Sequence, residues 1–383
     1  MAKEDRIIES IKSENEDFYT DDSIFDISSW GADLSFRELI ERYKTGELVK
    51  PEIQRKYIWD RIEASYFIDS ILLGLPIPSI FLARTKDEKM LIVDGYQRIM
   101  TVYDFVEKRV FSQDGKDFKL SMSKKIHERW RGKTFAELDD AEQRRIKNTT
   151  IHSIIFVQLK PKEPKVPDKR NTSMFQIFER INTSGRTLLS QEIRNCIYQG
   201  SLNSALIELN EHPVWRNLYG LENADSRMRD IEFILRYLAM SSHDFRTDRT
   251  KSISLKKFLN EFMNESQNPD EMVIRNMKDD FLATIHFVAD LFGEEAFRNI
   301  SKIDPERLVH KFNPTIFDSI MLASSYARAN LKHSEMIDFR ERRRALLKDA
   351  SYQNAIRIRT TNIDQIKLRI SLAMNYLYGM SYE

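Results

Sequence analysis

Three stretches of the chain gather residue types suited to holding an anion. In Met90-Leu91-Ile92-Val93-Asp94-Gly95-Tyr96-Gln97-Arg98 an apolar run ends at an acid, a glycine follows, and a helical pattern begins. A buried strand that stops there delivers Asp94 to its carboxyl edge. Gly95 permits close backbone approach, and the amides opening the next helix favour a negative charge. Arg98 could fork to phosphate oxygens, Gln97 could hydrogen-bond a base or ribose, and Asp94 could hold a divalent cation such as Mg²⁺ through water. The same residues also suit an ordinary bend, with Asp94 as a helix cap and the polar side chains in water. Pro51-Glu52-Ile53-Gln54-Arg55-Lys56-Tyr57-Ile58-Trp59 places Gln54 and Arg55 at the end of an extended segment. Phe178-Glu179-Arg180-Ile181-Asn182-Thr183-Ser184-Gly185-Arg186-Thr187-Leu188 places Asn182, Gly185 and Arg186 in a turn between two helices.

The elements that must position these residues are legible from periodicity and punctuation. Ser35 to Glu38 has the form of a capping box opening a helix to Lys44, which Gly46 ends, and Leu48 to Ile58 reads extended. Asp60 to Glu63 opens a second helix, broken by Gly74-Leu75-Pro76-Ile77-Pro78. Ser79 to Ala83 and Met90 to Val93 read as neighbouring strands across the charged turn Thr85 to Lys89. Tyr96 to Lys108 reads as a helix with Ile99, Val102, Tyr103 and Val106 on one face. Residues 110 to 160 are expected to hold a hairpin, a helix from Phe135 to Lys147 and a strand from Thr149 to Leu159. Lys160 to Arg170, with three prolines and five basic residues, reads as an exposed loop. From Thr172 onward helical periodicity dominates, with no convincing strand pair. The reading is α+β: an acidic lead-in over residues 1–30, a mixed α/β domain over 31–200, and an all-helical domain over 201–383.

Composition removes several classes of protein. The chain has 383 residues, and its lone cysteine, Cys196, cannot support an internal disulfide framework or a multi-cysteine zinc site. The charged opening is unlike a signal peptide, and no run suffices to span a bilayer, so a cytoplasmic protein with no membrane association is expected. Sixty basic and fifty-nine acidic residues nearly cancel, but the charge is segregated. Residues 119–170 carry fourteen Lys or Arg against seven acids, which suits either a phosphate-facing surface or solvated helix faces. Gly132-Lys133-Thr134 resembles the end of a P-loop, but His127 stands where glycine is needed. Arg328 with His333, and Arg236 with His243, match spacings found in some helical ribonucleases; solvated helix faces produce them equally well.

Taken together, PEIQRKYIW, GLPIPSIFL, IVDGYQRIMTVYDF and FERINTSGRTLLSQEIRN, in that order, resemble the N-terminal domain of GmrSD-type modification-dependent restriction systems, in the ParB/sulfiredoxin-like superfamily. The likeness covers roughly residues 30–200. The family signature is Asp-Gly-Gln-Gln-Arg (DGQQR), and here Tyr96 replaces its first glutamine. The resemblance implies a ParB-like fold that binds, and in relatives hydrolyses, a nucleoside triphosphate in defence against phage and foreign DNA. On motif matching, Asp94, Gly95, Gln97 and Arg98 line the phosphate site, Gln54 and Arg55 face it, and Asn182, Gly185 and Arg186 complete it. Asp94, Arg98 and Arg55 would be the catalytic groups and Asp94 the Mg²⁺ contact. No C-terminal His-Asn-His nuclease element is found, so DNA and a separate nuclease protein are the implied partners, and self-association stays open. Two other readings stand beside this NTPase sensor: a DNA-binding or adaptor module without turnover, and a self-contained nuclease.

Overall fold

Ser35 is both the last residue of a strand and the first cap of a helix: its Oγ accepts from the Glu38 amide at 3.2 Å, and the Phe36 amide donates to the Thr149 carbonyl. Such local signals build most of the elements in the computed structural model, which describes residues 7–11, 27–50, 59–85, 87–158, 170–181, 189–242, 245, 253–330 and 338–381. The chain divides into two compact units, one containing residues 21–187 and the other residues 198–383 together with residues 1–20.

The first unit runs β1 (Ile27–Ser35), α1 (Phe36–Lys44), β2 (Leu48–Val49), α2 (Arg61–Leu73), β3 (Ile80–Arg84), β4 (Met90–Asp94), α3 (Tyr96–Tyr103), α4 (Asp140–Asn148), β5 (Thr150–Gln158) and α5 (Arg170–Ile181). Its five-stranded mixed sheet has the order β1-β5-β3-β4-β2. β1 is antiparallel to β5 and β3 antiparallel to β4, whereas β3 and β5, and β2 and β4, are parallel. Leu34, Ile80, Leu82, Ile92, Ile151 and Ile155 point from one face into a core shared with α1 to α4. The alternating residues Ala83, Leu91, Val93 and Phe156 are buried as well, and α5 packs against β5. Burial on both faces requires this two-sided apolar pattern.

α2 begins with a reciprocal capping box, the Glu63 amide on Asp60 and the Asp60 amide on Glu63, and ends at Gly74 with φ of 74°. The expected helix from Phe135 to Lys147 is instead a 3₁₀ turn, Phe135–Glu137, followed by α4. Asp139 accepts from the Glu142 amide and restarts the helix there, which a continuous helix would forbid. The expected hairpin near residue 110 is a single bridge, Val110 to Asp117.

Next in the chain is α6 (Ser190–Ile197). The second unit contains α7 (Ser201–Asn210), α8 (Pro213–Tyr219), α9 (Arg229–Met240), α10 (Leu255–Glu265), α11 (Glu271–Phe292), α12 (Pro314–Asn330), α13 (Phe339–Lys348), α14 (Ala350–Ala355) and α15 (Ile363–Ala373). It also holds a strand pair that sequence reading missed, β6 (Arg298–Ile300) with β7 (Leu308–Phe312). Strands this short carry no usable alternation, and Phe297 and Phe312 instead join the aromatic core around the fully buried Trp215. Within the same unit Ile8 bridges to Phe312, and the Asn313 side chain donates to Glu9 at 2.7 Å. Among the described residues no helix is long and apolar enough to cross a membrane.

Candidate functional site

The strand-to-helix junction after β4 is built by a bulge and a glycine. The register shifts between Phe81 and Leu82, so that Phe81 pairs with Asp94 and Leu82 with Ile92. Gly95 follows with φ of 99°, and a Cβ there would stand 2.2 Å from Ile80 Cγ2. Only glycine brings the backbone this close to β3. Gly95 is also the N-cap residue of α3, which among the described residues receives no side-chain cap. Asp94 therefore does not serve as the cap of α3.

Asp94 bonds elsewhere. Arg98 Nη2 donates to Asp94 Oδ2 at 3.0 Å, while Arg98 Nη1 donates to the Ser79 carbonyl at 2.6 Å. The pair lies four residues apart across the first helical turn and is partly buried, the arginine 17% and the aspartate 34% exposed. Gln97 Oε1 accepts from the Trp59 amide at 3.4 Å, and the Trp59 ring stacks edge-on against Phe67 at 5.6 Å. Gln97 thus binds the last residue of the upstream motif. Gln54, Arg55, Asn182, Gly185 and Arg186 lie outside the described residues; the buried Phe178 anchors the start of the third motif in α5.

Tyr96, the departure from the signature, is half-buried against the core. Its phenol is pushed up to about 12, chiefly by burial and then by Tyr43 and Asp104. Asp104 is fully buried where α3 passes into the π-helical turn Asp104–Lys108; it accepts from the Ser112 amide, and burial raises its carboxyl. In the second unit the buried Tyr352 phenol is likewise raised to about 12 by burial. An unfolded tyrosine ionises near 10, so from about pH 10 to about pH 12 the unfolded chain binds fewer protons than the folded one. Stability contributed by these phenols is present below pH ~10 and lost as pH rises through ~12. Urea midpoints should therefore fall from about pH 9 to about pH 11, less steeply in Tyr96→Phe.

A further polar pair at this end of the sheet escaped sequence reading because β1 did. Asp33 faces His152 across the β1–β5 register, and His152 Nδ1 lies 2.8 Å from Asp33 Oδ1. The imidazole lies over Gly31, where a Cβ would meet Cε1 at 2.8 Å. Strand directions put this pair at the same sheet end as Asp94. The short alternation Gly31, Asp33 against Ala32, Leu34 was the available signal.

Other motifs resolve as structural. Gly132 and Lys133 pair by backbone with Leu120, forming a turn with no phosphate loop. Arg236 is 1% exposed and bound to Asp318, so it belongs to the core of the second unit and cannot meet a scissile phosphate. Arg328 bonds Asp280 at 2.6 Å; His243 and His333 lie outside the described residues. Arg343, within the basic stretch Arg340-Glu341-Arg342-Arg343-Arg344, is buried on the carbonyls of Glu295, Ala296 and Arg298.

A five-stranded mixed sheet whose strand β4 runs through Asp94-Gly95 into α3 defines a small α/β domain. Residues 36–199 match the family described as GmrSD restriction endonuclease, N-terminal domain. No curated protein and no solved structure matches the chain.

Proposed function

We propose that the protein is a nucleoside-triphosphate-binding and hydrolysing sensor subunit of a restriction-type defence system, acting with DNA and a separate nuclease. The observation that carries this reading is the junction after β4. Gly95 packs on Ile80, α3 receives no side-chain cap among the described residues, and Asp94 and Arg98 flank its first turn. Helix amides and an adjacent arginine suit a phosphate chain. Among the described residues no three His, Cys, Asp or Glu side chains group as a metal site. A lone carboxylate suits Mg²⁺, which takes most of its ligands from phosphates and water. When bound, Mg²⁺ would neutralise phosphate charge. Arg98 offsets the negative charge that develops on transfer, and Arg55 is proposed to share that role. Gln54, Gln97, Asn182, Gly185 and Arg186 position the nucleotide in this reading.

Purified protein with Mg²⁺ is expected to release phosphate from a nucleoside triphosphate, and Arg98→Ala to release it about a hundredfold more slowly. Equal rates would leave binding without turnover. A second reading, a ParB-like DNA-binding or adaptor module, is favoured by the engagement of Arg98 with Asp94 and the Ser79 carbonyl, which gives the arginine a structural task.

A further inference from the structure

Ser65 and Asp69 lie one turn apart on α2, and both are buried. Each spends an oxygen on the loop that crosses the helix: the Ser121 amide donates to Ser65 Oγ at 2.8 Å and the His127 amide to Asp69 Oδ1 at 3.0 Å. Between these anchors the Ile126 amide closes a turn on the Ser123 carbonyl, and the fully buried Ile126 side chain plugs the loop from beneath. Arg131 Nε donates to the Ile126 carbonyl at 2.7 Å. The loop is therefore held at both ends and in its middle. Lys124 and Lys125, by contrast, point into solvent.

The charge left on this frame is positive. Residues 119–133 contain six Lys or Arg and a single acid, Glu128. Arg129 is answered by Asp139 and Glu142, at 2.9 and 2.7 Å. Arg131 donates to the backbone carbonyls of Ile126 and Lys124, which carry no net charge. Lys124, Lys125 and Arg131 rim a depression of about 390 Å³ that reaches Leu73 at the end of α2; His127 and the carboxylates of Asp69, which is held by the His127 amide, and Glu128 also line it. Arg145 donates to the neighbouring Leu72 carbonyl at 2.6 Å and adds a fourth cation at that helix end. Solvated lysines need no such frame; a row of cations on a pinned loop suits regularly spaced anions, since little side-chain and backbone order remains to be acquired on binding.

We propose that this loop is a contact site for the sugar-phosphate backbone of duplex DNA, with Lys124, Lys125 and Arg131 as its phosphate-binding side chains. The choice of DNA among polyanions rests on the DNA component of the proposed function; nucleotide turnover plays no part in it. Ammonium groups act as point charges on phosphate, so the site positions DNA without reading its sequence.

The test measures affinity of the full chain for a fluorescent duplex across a salt series. Three proteins are compared: wild type, Lys124→Ala with Lys125→Ala, and the control Lys302→Ala with Arg307→Ala, which removes two exposed charges elsewhere. The loop variant is expected to bind about tenfold more weakly at low salt, with a logarithmic salt slope shallower by about two. The control is expected to match wild type. Unchanged affinity and slope in the loop variant would overturn the proposal, as would an equal loss in the control. Tighter, lysine-dependent binding of an RNA hairpin would overturn the choice of DNA. A wild type that binds no duplex would remove both this site and the DNA component of the proposed function. Failure of Mg²⁺-dependent phosphate release beside an intact lysine effect would remove the nucleotide reading alone.

Discussion

Asp318→Ala is expected to destabilise the protein by about 3–5 kcal/mol, the largest loss of any single substitution considered. Asp318 on α12 is 1% exposed and receives Arg236 of α9 through both carboxylate oxygens and Arg369 of α15 at 3.3 Å. Arg369 is itself fully buried and also donates to the Thr360 carbonyl at 2.7 Å. Removing the carboxylate takes from two buried guanidiniums a charge that offsets part of their desolvation. Arg236→Ala should cost less, because Asp318 keeps Arg369 as a partner. Urea unfolding of both variants, read as a shift in midpoint at constant slope, measures the difference. Equal losses would mean that Arg369 draws little from Asp318.

Gly95→Ala is expected to cost about 2–5 kcal/mol, the sum of two effects. A left-handed backbone with a Cβ costs roughly 1–2 kcal/mol, and forcing that Cβ into Ile80 costs about 1–3 kcal/mol more. The contact at 2.2 Å is too close to persist, so β3 or the start of α3 must move. Gly46 supplies the comparison: its φ is 76°, but nothing lies within 4 Å of its Cβ position, so Gly46→Ala should show the conformational part alone. Combining Gly95→Ala with Ile80→Ala should give less than the sum of the separate losses. An additive result would show that the clash is relieved elsewhere. Because α3 starts at this residue, Gly95→Ala should also weaken the proposed nucleotide binding, in proportion to the displacement of the first helical turn.

Much of the candidate site was legible without coordinates. Asp94, Gly95, Gln97 and Arg98 were singled out by the change from an apolar run to a helical pattern, and the structure sets them where β4 ends and α3 begins. The partners of Arg98 were not legible. Residue type marks an arginine as a phosphate ligand and as a structural fork equally well, and the Ser79 carbonyl that it binds lies nineteen residues away. Tyr96 is a similar case. As a letter in a signature it stands at a ligand-facing motif, whereas its side chain packs toward Tyr43 and Asp104.

Residue types along the chain sufficed for the local punctuation: the Asp60 and Glu63 cap, the stop at Gly74, the strands on either side of residues 85–89, and the motif order that residues 36–199 share with a restriction-system family. The pairing of residues 27–35 with β5, the β6–β7 ladder and the burial of Arg236 in the core emerged from long-range contacts. Caps and turns are set by neighbours within a few residues. An edge strand or a buried ion pair takes its stability from partners far along the chain, which local residue types do not encode.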